Sequence, residues 1–475
     1  MNLKESTAQI GTSLRSLLEA INNKPAGIAF ITDESEKLCG VVTDGDFRRM
    51  LLNGKTLETT LGKSDFGDYV FAKQGESVQD LVKKSNKKVR TIPIVDDQGR
   101  LVDFFRYDHR VRMIPVAEPD LRGKEYEYLS DAFLSTWISS AGKYINQLED
   151  TFANYCGVDY GVAVSNGTVA LHLALKALKI GEGDEVIIPD LTFAATANAV
   201  LHAGATPVLV DIEPDSWCID PSEIERAITT KTKAIIPVHV YGQPCDMEAI
   251  MGIAAKHGLK VIEDAAEAHG AEFKSKRVGS FGDIACFSFF GNKIITTGEG
   301  GICVTNSNEL NERMRLLRDH GMSKDKKYWH EEVGYNYRMT NLQASIGCAQ
   351  LERIEKILES RDEIENTYVD LLSKYDFIEW QPKLTDRRRV VWLVCALIKD
   401  GKRDIVMQTL RDNGVDVRPF FYPLHEMPVF ESYHHSSERA TQLAYRGINL
   451  PTINNVEFDT IAAAFEKVNS ILKNE

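Results

Sequence analysis

A chain of 475 residues has room for about three domains, and its 43% hydrophobic and 26% charged residues are those of an ordinary globular protein. The net charge of −13 argues against a nucleic-acid or anionic-membrane surface. The longest apolar runs, such as "VVWLVCALI" at Val390–Ile398, are far shorter than the roughly 18–20 residues that span a bilayer.

The start of the chain, "MNLKESTAQIGTSL", has no apolar core of a signal peptide, so a cytoplasmic protein is expected. Eight cysteines, none in a C-x-x-C, lie scattered in apolar segments, which fits reduced and mostly buried thiols better than disulfides or zinc. Residues 1–112 contain two segments of one pattern. "AGIAFITDESEKLCGVVTDGDFRRMLLNG" reads as strand, polar turn, strand and a helix opening at "TDGDFRR", and "VRTIPIVDDQGRLVDFFRYDHR" repeats strand, turn and strand. A repeat of this size implies that each unit buries its apolar face against its copy. The pair resembles a tandem CBS module. That resemblance implies adenine-nucleotide binding through a Thr-x-x-Asp, matched here by Thr43 and Asp46; in the second copy Phe105 replaces the threonine ahead of Asp108. The alternative is a pair that only packs or dimerises.

From residue 113 the chain becomes a long α/β alternation. Apolar runs such as "YGVAVS", "DEVIIP", "TPVLVDI", "KVIEDA" and "DIACFSFF" alternate with helical patterns such as "TVALHLALKALKI" and "MEAIMGIAAKHGL". Continuous apolar strands separated by helices predict a mostly parallel sheet covered on both faces, with ligands beyond the carboxyl ends of its strands. After residue 365 the pattern loosens into a smaller α+β lobe containing "RPFFYPLHEMP". There "LHEMPVF" begins like a zinc-binding helix, but Val429 stands where the second histidine belongs, and no metal is expected.

Several strand ends carry polar residues suited to one anionic, aromatic cofactor. "VSNGTVALHLAL" turns from strand to helix through Asn166, Gly167 and Thr168, whose backbone N–H groups and hydroxyl form a phosphate seat or an ordinary helix cap. Asp264 ends the strand "KVIED", and a buried acid there needs a positive partner, such as a protonated pyridine nitrogen. Ser288 and Lys293 close another strand in "CFSFFGNKIITTGEGG", and Phe193 in "PDLTFAAT" can lay its ring on a planar ligand. A phosphate seat, an acid for a ring nitrogen, a stacking aromatic and an amine together make the parts of a pyridoxal phosphate site.

From Met113 onward the chain also resembles the DegT/DnrJ/EryC1/StrS family of sugar-nucleotide aminotransferases. The ordered series "STWISSAGKYI", "SNGTVALHLAL", "GDEVIIPDLTF", "VHVYGQPCDM", "IEDAAEAHGA", "FSFFGNKIITTGEGG", "GYNYRMTNLQA" and "RPFFYPLHEMP" carries the likeness. It implies an α/β fold of the aspartate aminotransferase kind (fold type I of pyridoxal phosphate enzymes), with a cofactor-binding domain over 113–365 and a small domain over 366–475. "NKIITTGEGG", "YWHEEVGYNYRMTN" and "RGINLP" look like its perosamine-forming subgroup. The resemblance implies transfer of an amino group from L-glutamate to C4 of a nucleotide-linked 4-keto-6-deoxy sugar, foremost GDP-4-keto-6-deoxymannose, in polysaccharide or O-antigen biosynthesis. By position, Lys293 would hold the cofactor covalently and shuttle the proton, Asp264 would pair with the ring nitrogen, and Phe193 would stack on the ring. Gly167, Thr168 and Ser288 would hold the phosphate, with Asn336 reaching it from a neighbouring subunit of a homodimer or larger homo-oligomer. Glu267 stands where many relatives carry glutamine, near the phenolic oxygen. Arg338, His320 and Tyr422 are candidates for the sugar nucleotide or the glutamate carboxylates.

Three other readings compete. Dehydratases of the family carry histidine in place of the reactive lysine, and Lys293 argues against them. A UDP-linked keto sugar is an alternative substrate. A catalytically inactive protein regulated through its CBS-like pair is the third, and the intact Lys293, Asp264 and Ser288 weigh against it.

Overall fold

The computed structural model describes residues 6–22, 28–66, 69–76, 80–81, 84, 89, 91–106, 113–433 and 437–474. Asp108 and the expected boundary at residue 112 lie outside the described residues. The chain forms two compact units, Met1–Met113 with Asp412–Gly414, and Ile114–Arg411 with Val415–Glu475.

In the first unit the sequence repeat is a structural repeat. Strand β1 (Thr7–Gln9) runs parallel to β2 (Ile28–Thr32), which pairs antiparallel with β3 (Leu38–Thr43). After helix α1 (Leu14–Asn22) and helix α2 (Asp44–Leu52), the second copy repeats this with β4 (Ala72–Lys73) parallel to β5 (Thr91–Val95) and β5 antiparallel to β6 (Leu101–Arg106). The register shifts at the matching place in both, between Ile31 and Thr32 and between Ile94 and Val95. The copies meet through their turns: Leu38 N–H donates to the Gly99 carbonyl at 3.0 Å, and Leu101 N–H to that of Glu36 at 3.1 Å. Phe30 and Phe104 add a ring contact at 5.6 Å, so each copy covers apolar surface of the other.

The second unit is built on a seven-stranded sheet. Its strands are β7 (Tyr160–Val164), β8 (Glu185–Pro189), β9 (Thr206–Val210), β10 (Thr232–Ile235), β11 (Lys260–Asp264), β12 (Ile284–Ser288) and β13 (Gly301–Thr305). The spatial order is β7–β13–β12–β11–β10–β8–β9. All neighbours run parallel except at β13, which is antiparallel to both β7 and β12. Alternation along the strands splits their side chains between two cores. Val162, Val186, Ile188, Ile262, Ile284 and Cys303 pack with helices Gly167–Ala177 and Ala195–Ala203 on one face. Ala163, Ile187, Val261, Ala285, Phe287 and Ile302 pack with helix Lys143–Cys156 on the other. This double coverage is why the strands read as unbroken apolar runs.

Helix Ile354–Leu372 runs unbroken through residues 365 and 366, where the small lobe was expected to begin. It leads to a four-stranded antiparallel sheet of Ile378–Trp380, Val394–Ile398, Gly447–Leu450 and Arg418–Pro419. Tyr368, Val394, Ile448, Leu450 and Phe465 form that lobe's core. Seven of the eight cysteines are buried and all are free thiols. Among the described residues no helix is long and apolar enough to cross a membrane.

Candidate active site

The carboxyl ends of β7, β11 and β12 bring most of the expected residues together. At the end of β7, Asn166 caps the helix Gly167–Ala177 by accepting from Val169 N–H at 3.0 Å. Gly167 opens that helix against Ser288, the last residue of β12: a Cβ at Gly167 would lie 2.8 Å from the Ser288 Cβ. The first N–H groups of a helix have no partner within it, and with Val169 N–H taken by Asn166, those of Gly167 and Thr168 are left at this closely packed edge to meet an anion. Thr168, half-buried, stands in the same turn.

Asp264 is buried at the end of β11 and receives two donors, Thr196 Oγ1–H at 2.8 Å and Ala266 N–H at 3.2 Å. Burial pushes its carboxyl up, and those hydrogen bonds with the charge of Lys293 offset the shift only in part. Such an acid is short of a cationic partner. Its neighbour Glu263 is buried too, but accepts N–H donation from Gly279, Phe281 and Gly282, each at 2.8 Å. His239 adds a fourth donor at 3.1 Å. Because His239 Nδ1 accepts from Cys245 N–H, the imidazole proton is on Nε2 and points at Glu263. Burial pushes Glu263 up, yet these bonds outweigh it and hold the carboxyl below its ordinary range.

Lys293 follows β12 in a turn where its N–H donates to the Phe290 carbonyl at 2.9 Å. Its amine lies 3.4 Å from Glu267 Oε1 and 3.9 Å from the centre of the Trp392 ring. Glu267 Oε2 accepts from Tyr241 N–H at 2.8 Å. Tyr241 is buried with φ +52°, a left-handed conformation that a bulky residue adopts at a cost of about 1–3 kcal/mol. Burial pushes the Glu267 carboxyl up, opposed by Lys293 and by that N–H. His269, buried among Phe152, Phe287 and Phe289, is pushed down to about 3 by burial and by Lys293, so it stays neutral.

Phe193 leaves 59% of its surface exposed, with its ring 5.8 Å from Phe421. Phe421 stacks on Tyr241 at 5.2 Å and 11°. Asp190, three residues before Phe193, accepts from His425 N–H at 2.9 Å and pairs with its Nδ1 at 2.5 Å, tying the loop to the small lobe.

Other expected residues group elsewhere. Asn336, Arg338 and His320 form a surface cluster beside the end of β7, where Arg338 Nε donates to Asn336 Oδ1 at 3.2 Å and Arg338 pairs with Asp319 at 2.8 Å. Tyr422 is partly exposed and packs on Tyr445. In the first unit Thr43 and Asp46 are engaged with each other as a capping box on α2, the hydroxyl donating to Asp46 Oδ2 at 2.6 Å and the Asp46 N–H returning to the hydroxyl at 3.3 Å. The residues not foreseen are Trp392, Tyr241, Thr196 and the Asp190–His425 pair.

Comparison with known proteins shows the family. The model of the DegT/DnrJ/EryC1/StrS aminotransferase family matches residues 119–469. The chain belongs to that family. A CBS domain model matches residues 4–53, the first copy of the N-terminal repeat. This family member is 46% identical to the GDP-perosamine synthase of Caulobacter vibrioides over 366 residues, covering 75% of this chain and 98% of the relative. It is 45% identical to that of Escherichia coli O157:H7 over 360 residues, 76% and 98% of the two chains. Among solved structures, DesV of S. venezuelae is 34% identical with a TM-score of 0.68 over 72% of this chain and 94% of that one. The aminotransferase from Psychrobacter cryohalolentis is 33% identical with a TM-score of 0.70 over 74% and 98%.

This DegT/DnrJ/EryC1/StrS protein is therefore a sugar aminotransferase that works with pyridoxal phosphate, on a type I fold. Its own residues fit the group: a buried acid short of a cation, a glycine edge that a Cβ would fill, a half-exposed phenyl face and a lysine amine converge at one sheet edge.

Proposed function

We propose that this enzyme moves the amino group of L-glutamate to C4 of GDP-4-keto-6-deoxymannose, giving GDP-perosamine, in cytoplasmic polysaccharide biosynthesis. The observation that carries the sugar assignment is the 43–46% identity to three GDP-perosamine synthases, each covered over at least 94% of its length.

The bound cofactor supplies an electron sink for the carbanion formed when a proton leaves the amine-bearing carbon. Lys293 would hold it covalently through Nζ. With its Nζ free and uncharged, Lys293 would accept the proton from glutamate Cα. In the second half-reaction it returns a proton to C4 of the hexose. One water is taken up to supply the keto oxygen of 2-oxoglutarate as glutamate gives up its amine, and one is released from the keto oxygen of the sugar as that amine is installed. Asp264, held by Thr196, would pair with the ring nitrogen and keep it protonated. Glu267, oriented by Tyr241 N–H, would serve the phenolic oxygen. Phe193 would cover the ring, and Gly167, Thr168 and Ser288 would hold the phosphate.

The proposal includes a homodimer in which Asn336 serves the neighbouring subunit's phosphate. His320, Arg338 and Tyr422 bind the nucleotide or carboxylates. Residues 113–365 are the cofactor-binding domain and 366–475 the small domain, joined by one continuous helix. Residues 1–112 are a regulatory or dimerising module whose first copy, at Thr43 and Asp46, takes an adenine nucleotide.

An amination assay over a panel of GDP- and UDP-linked 4-keto sugars tests this. Turnover with the GDP-linked 6-deoxy sugar is expected, and amination of UDP-linked sugars alone would overturn the assignment.

A further inference from the structure

The indole of Trp392 touches the reactive-lysine turn twice. Its face lies 3.9 Å from the Lys293 amine, and its Nε1–H donates to the carbonyl of Asn292, the preceding residue, at 2.7 Å. The ring is itself held firmly. Trp392 is buried, its carbonyl accepts from the buried Arg361 at 2.7 Å, and Tyr241 stacks on it at 5.9 Å and 16°. Tyr241 in turn donates its N–H to Glu267, which lies 3.4 Å from the same amine. The contacts close a ring of four residues: Trp392, Lys293, Glu267 and Tyr241. Within it the amine is bracketed by a carboxylate and a π face.

We propose that Trp392 is a positioning residue that holds the Lys293 amine in place while it is free and carries a proton. The inference rests on the reading of Lys293 as the reacting amine. A lysine side chain has about 2 kcal/mol of rotamer freedom and a long stem, so an amine released from covalent attachment would otherwise leave its reacting geometry. An aromatic face attracts the ammonium form, most strongly where water is displaced. The indole therefore acts most in the interval between taking a proton from glutamate and delivering one to the sugar. The bond to Asn292 fixes the backbone from which the stem springs.

Two full-length variants test this, Trp392→Leu and Trp392→Phe. The first removes the π face and the N–H; the second keeps a face and loses the N–H. In the cofactor-free protein, competitive trace acetylation of Lys293, read by mass spectrometry against the exposed Lys63 of the N-terminal unit, reports how firmly the amine is held. Labelling is expected to rise in the order wild type, Phe variant, Leu variant, by roughly threefold or more at the end of the series. In the loaded enzyme kcat for the Leu variant is expected to fall roughly ten- to thirtyfold, with KM for glutamate nearly unchanged and most of the loss recovered by Phe. Equal labelling in all three proteins, or a Leu variant with wild-type kcat, overturns the proposal. If thermal melting shows the Leu variant unfolded, the Phe variant decides: raised Lys293 labelling supports the proposal and wild-type labelling overturns it. Labelling needs neither cofactor nor substrate. Absence of glutamate-dependent turnover in the wild type would thus count against the functional reading, separately from this one.

Discussion

The end of β11 has a back region and a front region, and each holds one buried acid. Glu263, at the back, accepts three backbone N–H groups and an imidazole N–H. Asp264, at the front, accepts one hydroxyl and one more distant N–H. Both side chains are out of water, yet the first carboxyl is held below its ordinary range and the second above it. A saturated buried acid is a structural part, because its donors stabilise the charge with nothing left to bind. An undersaturated one is matched to a cation that arrives from outside the chain.

The largest expected effect falls on the front region. Lys293→Ala should lower turnover by roughly four orders of magnitude; the loaded wild type should show a visible absorbance that glutamate removes, and the variant should lack it from the outset. Asp264→Asn should cost roughly 10²–10³-fold in kcat/KM, the scale of losing one partner of a buried charge pair. In the cofactor-free protein the same change should stabilise. A raised folded pKa means that the neutral acid's contribution is present below about pH 3.9 and lost as pH rises through the folded value. The gap in melting temperature between Asp264→Asn and wild type should therefore grow in the variant's favour from acidic to neutral pH.

Glu263→Gln should do the reverse. A depressed folded pKa gives stability that is present above about pH 4.3 and lost as pH falls through the folded value. This variant should lose about 3 kcal/mol at neutral pH in denaturant titration, with the deficit shrinking in acid. If the two variants moved in the same direction with pH, the contrast between the regions would fail. Glu267→Gln is milder: the amide still accepts from Tyr241 N–H, so kcat should stay within about fivefold while the acid limb of the pH–rate profile flattens. The smallest effect falls in the N-terminal unit. Thr43 caps α2 through Asp46, so Thr43→Ala should cost that unit about 1 kcal/mol without added nucleotide, as lost caps do.

Asp264, Ser288 and Lys293 were readable in the sequence because each follows an apolar strand, where a polar residue reaches the ligand edge of a parallel sheet. Gly167 was readable as the opening of a helix after β7. Trp392 was not. It lies inside an apolar run, as a core residue would, and its contact with Asn292 joins positions 100 residues apart, so only the folded lobe places it. Tyr241 was quoted in a motif, but its left-handed backbone and its N–H to Glu267 have no local signature. The two N-terminal copies were legible because alternation and turns repeat together. The pattern Thr-x-x-Asp reads identically as a ligand site and as a helix cap, and sequence does not separate the two.

The antiparallel course of β13 has a consequence for how the lysine comes to be in place. β12 and β13 form a hairpin, with Ser288 opposite Gly301, so the segment bearing Lys293 is tethered at both ends to adjacent strands in the sheet. Closing a loop of that size is entropically cheap, and each doubling of its length would add only about 0.6 kcal/mol. The other walls of the pocket come from parallel crossovers and from the far lobe, whose contacts are slow to find. The amine can thus be delivered by a local event, ahead of the long-range pairings that enclose it.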